Sequence, residues 1–183
     1  MKLQDYCEEI IITEDQIKDI IKRISDEINR DYDGEEIIFV VTLKGAFMFA
    51  SDLLKQIKTA AALEFMQIST YGDSHVSNNV FNVKLDLKTD IKGKNVIILE
   101  DIVDSGFTST CLMEYLAKRE PKSLKMATFL NKSANRKYEF IPDYIGFELV
   151  DDAFVAGYGL DYGQIYRNIP FLFKLKKEIY CKD

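Results

Sequence analysis

Two adjacent acids, Glu100 and Asp101, follow the apolar run VIIL (96–99), and Asp104-Ser105-Gly106 and Thr108 come directly behind them. The Ile/Val run reads as a strand, and Phe107 to Arg119 reads as a helix with Leu112, Tyr115 and Leu116 on one face. Acids and hydroxyls therefore meet at a strand-to-helix turn. A helix N-terminus behind a small-residue turn aims several backbone N–H groups outward, and the Ser105 and Thr108 hydroxyls add to them, which makes a cradle for a phosphate group. Three carboxylates beside such a cradle would repel an anion by themselves. They make sense if they grip sugar hydroxyls, hold Mg²⁺ or take up a proton. A plain helix cap would account for Asp104 or Ser105, with Glu100-Asp101 as a solvated loop. Caps seldom need two acids immediately after a buried strand. No GxxxxGK[ST] or GxGxxG run is present, so the two commonest glycine-rich nucleotide loops are excluded.

The elements that must carry this turn can be read from periodicity. Thr13 and Gln16 have the form of a capping box, and Ile17, Ile20, Ile21, Ile24 and Ile28 follow at helical spacing, which predicts a helix ending near Asp31. EIIFVVTL (36–43) is a continuous apolar run expected to be buried on both faces. Lys44-Gly45 breaks it before a helical pattern from Ala46 to Ile57. ALEFMQIS (62–69) is a further strand, the polar stretch from Tyr71 to Asn82 a long loop, either lid or plain surface, and Val83 to Leu87 alternates again. LKMATFL (124–130), DYIGF (143–147) and FLFKLKK (171–177) complete the strands. Strands alternating with helices predict an α/β domain around a mainly parallel sheet, with ligands beyond the carboxyl ends of the strands.

Composition sets the outer bounds. The 183 residues suit one domain, 47% apolar and 30% charged, with 9 Gly and 3 Pro, a balance that excludes disorder for the bulk of the chain. With 24 basic and 30 acidic residues the formal charge is −6, so no overall positive field draws the chain to nucleic acid or anionic lipid. Any anionic ligand must be held by local groups. Cys7, Cys111 and Cys181 match neither a disulfide framework nor a zinc pattern and are read as free thiols. The acidic start and the lack of a long apolar run point to a cytoplasmic protein with no membrane contact.

VIILEDIVDSGFTST resembles the phosphoribosyl-pyrophosphate (PRPP) motif of the type I phosphoribosyltransferases. VTLKGAFMFASDL, STYGDS and DYIGFELVDDAFVAGYGLDYGQIYRNIP are similar, in the same order, to segments of the hypoxanthine-guanine branch of that family. The resemblance covers nearly the whole chain from about residue 10. It implies a type I phosphoribosyltransferase-like fold over residues 1–183, with N-terminal and C-terminal segments forming a small hood over a purine site. The implied reaction moves a phosphoribosyl group from PRPP to N9 of a 6-oxopurine with Mg²⁺, and the implied assembly is a homodimer or homotetramer.

Residue by residue, the resemblance implies that Glu100 and Asp101 bind the ribose hydroxyls, directly or through Mg²⁺. The turn of Asp104, Ser105, Gly106, Phe107 and Thr108 would hold the 5′-phosphate. Asp104 would also share or remove the purine N7 proton. Lys44 and Gly45 match the pyrophosphate-binding dipeptide with its strained or cis peptide; a lysine at a helix start opposes the helix dipole, which favours function over surface decoration. Arg167 would contact the pyrophosphate, as suits a planar multi-donor cation. Lys132, after the run 124–131, would donate to the purine 6-oxo group. Phe154 would stack on the base, Val155 would meet its edge through the backbone, and Asp161 would hold a second Mg²⁺. Ser69, Thr70 and Tyr71 would start a lid that excludes water from a cationic ribosyl centre. His75, the only histidine, is assigned no catalytic role.

LVDDAF departs from the family pattern, with Val150 where a Pro is common and one residue more before the aromatic. This borders the purine 2-position, so choice among hypoxanthine, guanine and xanthine is left open. The alternative from another class is a PRPP or nucleotide sensor without turnover. A sensor needs only the phosphate cradle, whereas Asp104, Lys132, Phe154 and Asp161 together serve chemistry on a purine, and all four are present.

Overall fold

Thr13 caps the first helix as its spacing predicts: its hydroxyl accepts from the Gln16 amide, and the Gln16 side chain accepts from the Thr13 amide at 2.8 Å. The helix, α1, runs Glu14–Asp31 and buries Ile17, Ile21, Ile24 and Ile28 along one stripe. Each such isoleucine, fully buried, contributes roughly 1.5–3 kcal/mol over the exposed state. The structure, a computed structural model, describes residues 5–71 and 80–181.

The remaining described elements follow in order: β1 (Cys7–Ile12, before α1), β2 (Ile37–Leu43), α2 (Phe47–Leu54), β3 (Ala61–Tyr71), β4 (Val80–Leu85), β5 (Asn95–Val103), α3 (Phe107–Ala117), β6 (Ser123–Lys132), β7 (Tyr144–Leu149), β8 (Val155–Ala156), β9 (Leu172–Leu175) and α4 (Lys177–Tyr180). Six strands form one sheet in the order β4-β3-β2-β5-β6-β7, parallel throughout except for β4, which runs antiparallel to β3. On one face α1 and α2 pack on Phe39, Val41, Leu99 and Phe129. On the other α3 sets Leu112 and Leu116 against Val40, Val96 and Ile98. The central strands are covered on both sides, which is why β2 is buried at six consecutive positions. A second, antiparallel sheet, β1-β9-β8, joins the two ends of the chain over a cluster of Tyr6, Tyr166, Phe173 and Leu175. No described helix is long and apolar enough to cross a membrane, and the three cysteines are unbonded.

Several boundaries move relative to the sequence reading. β5 continues past Leu99, so Glu100 and Asp101 lie within the strand and not in the turn after it. β6 supplies backbone partners as far as Asn131, and main-chain pairing extends a strand whatever the polarity of its side chains. For the same reason Lys132 ends β6 and is not a loop residue. The stretch expected to be a loop from Tyr71 to Asn82 is a hairpin at both ends, with Thr70 opposite Phe81 and Tyr71 opposite Val80. Helix α2 stops at Leu54, where Gln56 and Ile57 bond to carbonyls three residues back and tighten the last turn.

Candidate active site

The acid pair is fixed by the sheet. Glu100 stands opposite Thr128 of β6, buried, with Oε2 lacking a hydrogen-bond partner among the described residues. Burial pushes its carboxyl up to about 8, and the adjacent Asp101 charge adds to the effect. Burial also raises Asp101, to about 6; amides of Asp101 and Ile102 and the Arg167 charge oppose this, and Asp161 adds to it. The folded chain therefore retains protons that the unfolded chain has released. The stability these two groups contribute is complete in acid and is lost as pH rises from the ordinary carboxylate range to about 6 for Asp101 and about 8 for Glu100. Asp31 and Asp86 are held below the ordinary carboxylate range and change their contribution only in more acid solution. Urea unfolding from about pH 5.5 to about 8.5 should show this decline, and Glu100→Gln should flatten it. Equal slopes for the two proteins would mean that Glu100 ionises without cost.

The turn after β5 is built around Gly106, at φ +85°, the N-cap residue of α3. No side chain caps the helix from that position, and Ser105 Oγ accepts only a long 3.4 Å bond from the Phe107 amide. A cap is thus not what Asp104 provides. Phe107 and Thr108 fall in the first turn of α3, with the Phe107 ring tilted against Tyr138 at 5.2 Å. A Cβ on Gly106 would lie 2.7 Å from the Tyr138 carbonyl oxygen, so the turn is pressed against residues 136–138.

Lys44 and Gly45 lie between β2 and α2, and the cis peptide joins Leu43 to Lys44. Exposed Lys44 donates from Nζ to Gln164 Oε1 at 3.0 Å. Arg167 pairs with Asp161 at 2.6 Å and donates to the Gly159 carbonyl at 2.7 Å, while Asp161 also accepts from the Gln164 amide. Gly45 is enclosed between Asp101 and Gly159. The residues expected on the pyrophosphate side are therefore one connected group beside Asp101.

Of the residues expected at the purine, Asp104, Lys132, Phe154, Val155 and Asp161 line, with Asp101, one cavity of about 240 Å³ at the carboxyl ends of β5 and β6. A larger cleft, of about 650 Å³, lies among Asp26, Arg30, Asp33 and Lys58 at the opposite ends of the strands, where parallel sheets do not build sites. Phe154 is 37% exposed, so it is not a core aromatic. Tyr180 stacks on it at 4.9 Å and Tyr162 meets it edge-on. Val155 is buried in β8, paired with Lys174. Ser69 stands in the hairpin opposite Asn82, its hydroxyl buried without a hydrogen-bond partner among the described residues. Thr70 and Tyr71 close β3, while the rest of the expected lid, His75 included, lies outside the described residues.

Arg136 is the residue that sequence reasoning missed. It donates from Nε to the Asp104 carbonyl at 3.0 Å, and its other nitrogens reach the Phe140 carbonyl, Asn131 Oδ1 and the Val103 carbonyl. The amides of Lys137 and Tyr138 both donate to the Ser105 carbonyl at 3.0 Å. The main chain of the turn is thereby tied from behind through its carbonyls. Contacts of a side chain to distant carbonyls leave no pattern in sequence; Tyr180 was equally invisible.

The chain matches the model of the phosphoribosyl transferase domain over residues 11–163. It is 44% identical over 178 residues to the hypoxanthine-guanine phosphoribosyltransferase of Dictyostelium discoideum, covering 95% of this chain and 98% of that one. The bifunctional protein TilS/HprT of Listeria monocytogenes is 40% identical over 180 residues, and there the chain spans 28% of the relative's length. A crystal structure of a hypoxanthine phosphoribosyltransferase from Staphylococcus aureus superposes with a TM-score of 0.94 at 37% identity, covering 98% of this chain and 97% of that chain. The domain match, the 44% identity to a relative over nearly its whole length and the near-complete superposition agree, and the chain belongs to the phosphoribosyl transferase domain family.

Proposed function

We propose that this chain transfers the 5-phosphoribosyl group of PRPP to N9 of hypoxanthine or guanine, releasing pyrophosphate and giving IMP or GMP in purine salvage. The observation that carries the reading is the single cavity in which Asp104, Lys132, Phe154 and Asp161 converge beside the phosphate turn. A sensor of PRPP would have no use for that purine side, which favours turnover. In this reading the 5′-phosphate lies on the turn of residues 104–108, and Glu100 and Asp101 face the ribose. Asp104 takes the N7 proton as N9 attacks the anomeric carbon, Lys132 donates to O6, and Phe154 covers one face of the base. The Val155 backbone meets the base edge. The C–O bond to pyrophosphate breaks with positive charge developing on the ribose, so water must be kept out, which we assign to a lid beginning at Ser69, Thr70 and Tyr71. Lys44, the Gly45 amide and Arg167 receive the leaving pyrophosphate.

The carboxylates fit Mg²⁺: Glu100 Oε2 is buried without a partner among the described residues, and burial raises the Glu100 and Asp101 carboxyls, a cost of holding negative charge there that a divalent cation would relieve. Among the described residues no three His, Cys, Asp or Glu form a complete metal cage, and Mg²⁺ ordinarily takes one or two carboxylates together with substrate phosphates. Glu100 and Asp101 would hold one ion on the ribose side and Asp161 a second on the pyrophosphate side, and when bound they would neutralise the diphosphate. The β1-β9-β8 sheet acts as a hood on the base side, since β8 carries Val155. Leu63 and Phe65, exposed on one face of β3, support assembly into a homodimer or homotetramer.

Incubation with PRPP, Mg²⁺ and each purine in turn, following nucleotide formation, tests the reading. IMP and GMP are expected and AMP is not. Failure with every 6-oxopurine rejects it.

A further inference from the structure

The segment between β7 and β8 places a carboxylate beside Lys132. Lys132 Nζ lies 2.8 Å from Asp152 Oδ1; the lysine side chain is only 10% exposed and the aspartate 72%. Asp152 belongs to LVDDAF, the stretch one residue longer than the family pattern, and Ala153, Phe154 and Val155 directly after it line the cavity. Its neighbour Asp151 accepts from the Ala153 amide at 3.2 Å and so fixes the loop. An ammonium donor of the cavity wall and a carboxylate acceptor next to that wall therefore stand side by side.

We propose that Asp152 is a specificity-determining residue for the purine 2-position, an assignment that rests on the 6-oxopurine reading above. With Lys132 donating to O6, the adjacent positions on the base edge are N1 and the 2-substituent. The Val155 backbone carbonyl can accept N1–H, and guanine then presents N2–H to Asp152, a donor that a carboxylate accepts. Hypoxanthine presents N1–H alone. Xanthine presents a carbonyl oxygen at position 2 and sheds a proton near neutral pH, so it brings lone pairs and negative charge against Asp152. Adenine is mismatched on the same edge, with an amino group facing the ammonium and a bare N1 facing the Val155 carbonyl. The order that follows is guanine, then hypoxanthine, then xanthine. The exposure of Asp152 places its effect at the lower end of the range for hydrogen bonds to charged groups, about tenfold.

The test is steady-state kinetics of wild type, Asp152→Asn and Asp152→Ala with guanine, hypoxanthine and xanthine, together with equilibrium binding of GMP, IMP and XMP to the same proteins. Asparagine offers a donor as well as an acceptor, so Asp152→Asn should raise kcat/KM for xanthine and lower it for guanine, reducing their ratio about tenfold or more. Asp152→Ala should bring guanine down towards hypoxanthine. Binding of the three nucleotides should shift in the same order, a readout independent of turnover and usable if one variant is poorly active. Guanine-to-xanthine ratios unchanged within about twofold in both variants would overturn the assignment while leaving the transferase reading intact. Inactivity of the wild type with all three bases would instead remove that reading, and this assignment with it.

Discussion

Gly45→Ala is expected to reduce kcat/KM by more than about 100-fold and to destabilise the fold by about 1–3 kcal/mol. Gly45 is not needed for its backbone angles, since it is not among the positive-φ glycines. It is needed for space. A Cβ built there would lie 1.7 Å from Asp101 Oδ2 and 2.2 Å from Asp101 Cγ, overlaps that no rotamer of the new residue relieves because alanine has none. The displaced partner is one of the two acids fixed in β5, and the opposite side is closed too: a Cβ on Gly159 would meet the Gly45 carbonyl oxygen at 2.2 Å. Asp101 must leave its place or the segment carrying Lys44 must shift, and either moves the residues proposed for pyrophosphate against those proposed for ribose. Misplacement by about 1 Å costs on the order of 100-fold in rate. Gly93 is the control, since nothing lies within 4 Å of a Cβ there and only its φ of +67° resists alanine. Gly93→Ala should cost about 1–2 kcal/mol through backbone strain and leave activity near wild type. Urea unfolding and steady-state rates read both, and wild-type kinetics for Gly45→Ala would mean that Asp101 does not stand against Gly45.

What could be read in advance follows the range of the forces involved. The capping box of Thr13 and Gln16, the isoleucine stripe of α1 and the apolar run of β2 are local patterns, and the structure repeats them within a residue or so. Polar residues drawn into strands by backbone pairing were not legible, as with Thr70 and Tyr71 opposite Phe81 and Val80. The same cause put Glu100 and Asp101 inside β5, where enclosure beside the parallel partner β6 raises their carboxyls. β1 has three successive exposed positions and β8 only two residues, so neither carries a period that a sequence window detects. The resemblance to a family named candidate residues one by one, and the connections among them were not legible. Arg136 behind Asp104, Gln164 between Lys44 and Asp161, and Asp152 beside Lys132 are side-chain contacts that no window of neighbouring residues contains as a pattern.

Asp104→Asn should lower turnover by about 100- to 10,000-fold with much smaller change in PRPP affinity. Asp104 is exposed on the cavity wall in company with Lys132 and Phe154, and its backbone, not its carboxylate, takes part in holding the turn: Arg136 donates to the Asp104 carbonyl. Asparagine retains the size of the side chain and one acceptor oxygen but cannot carry a proton away. The turn should therefore survive and bind the phosphate as before, while a base approaching the ribose keeps its N7 proton and loses nucleophilicity at N9. A structural role would produce a different signature, with PRPP affinity and stability falling together. Asp104→Glu separates the two further, since it restores basicity on a longer arm and should recover part of the rate lost in the asparagine variant, without improving PRPP binding. If Asp104→Asn turned over at the wild-type rate, the proton would have to leave by another route. Among the acids of the cavity wall Asp161 is already paired with Arg167, so it is not set to receive it.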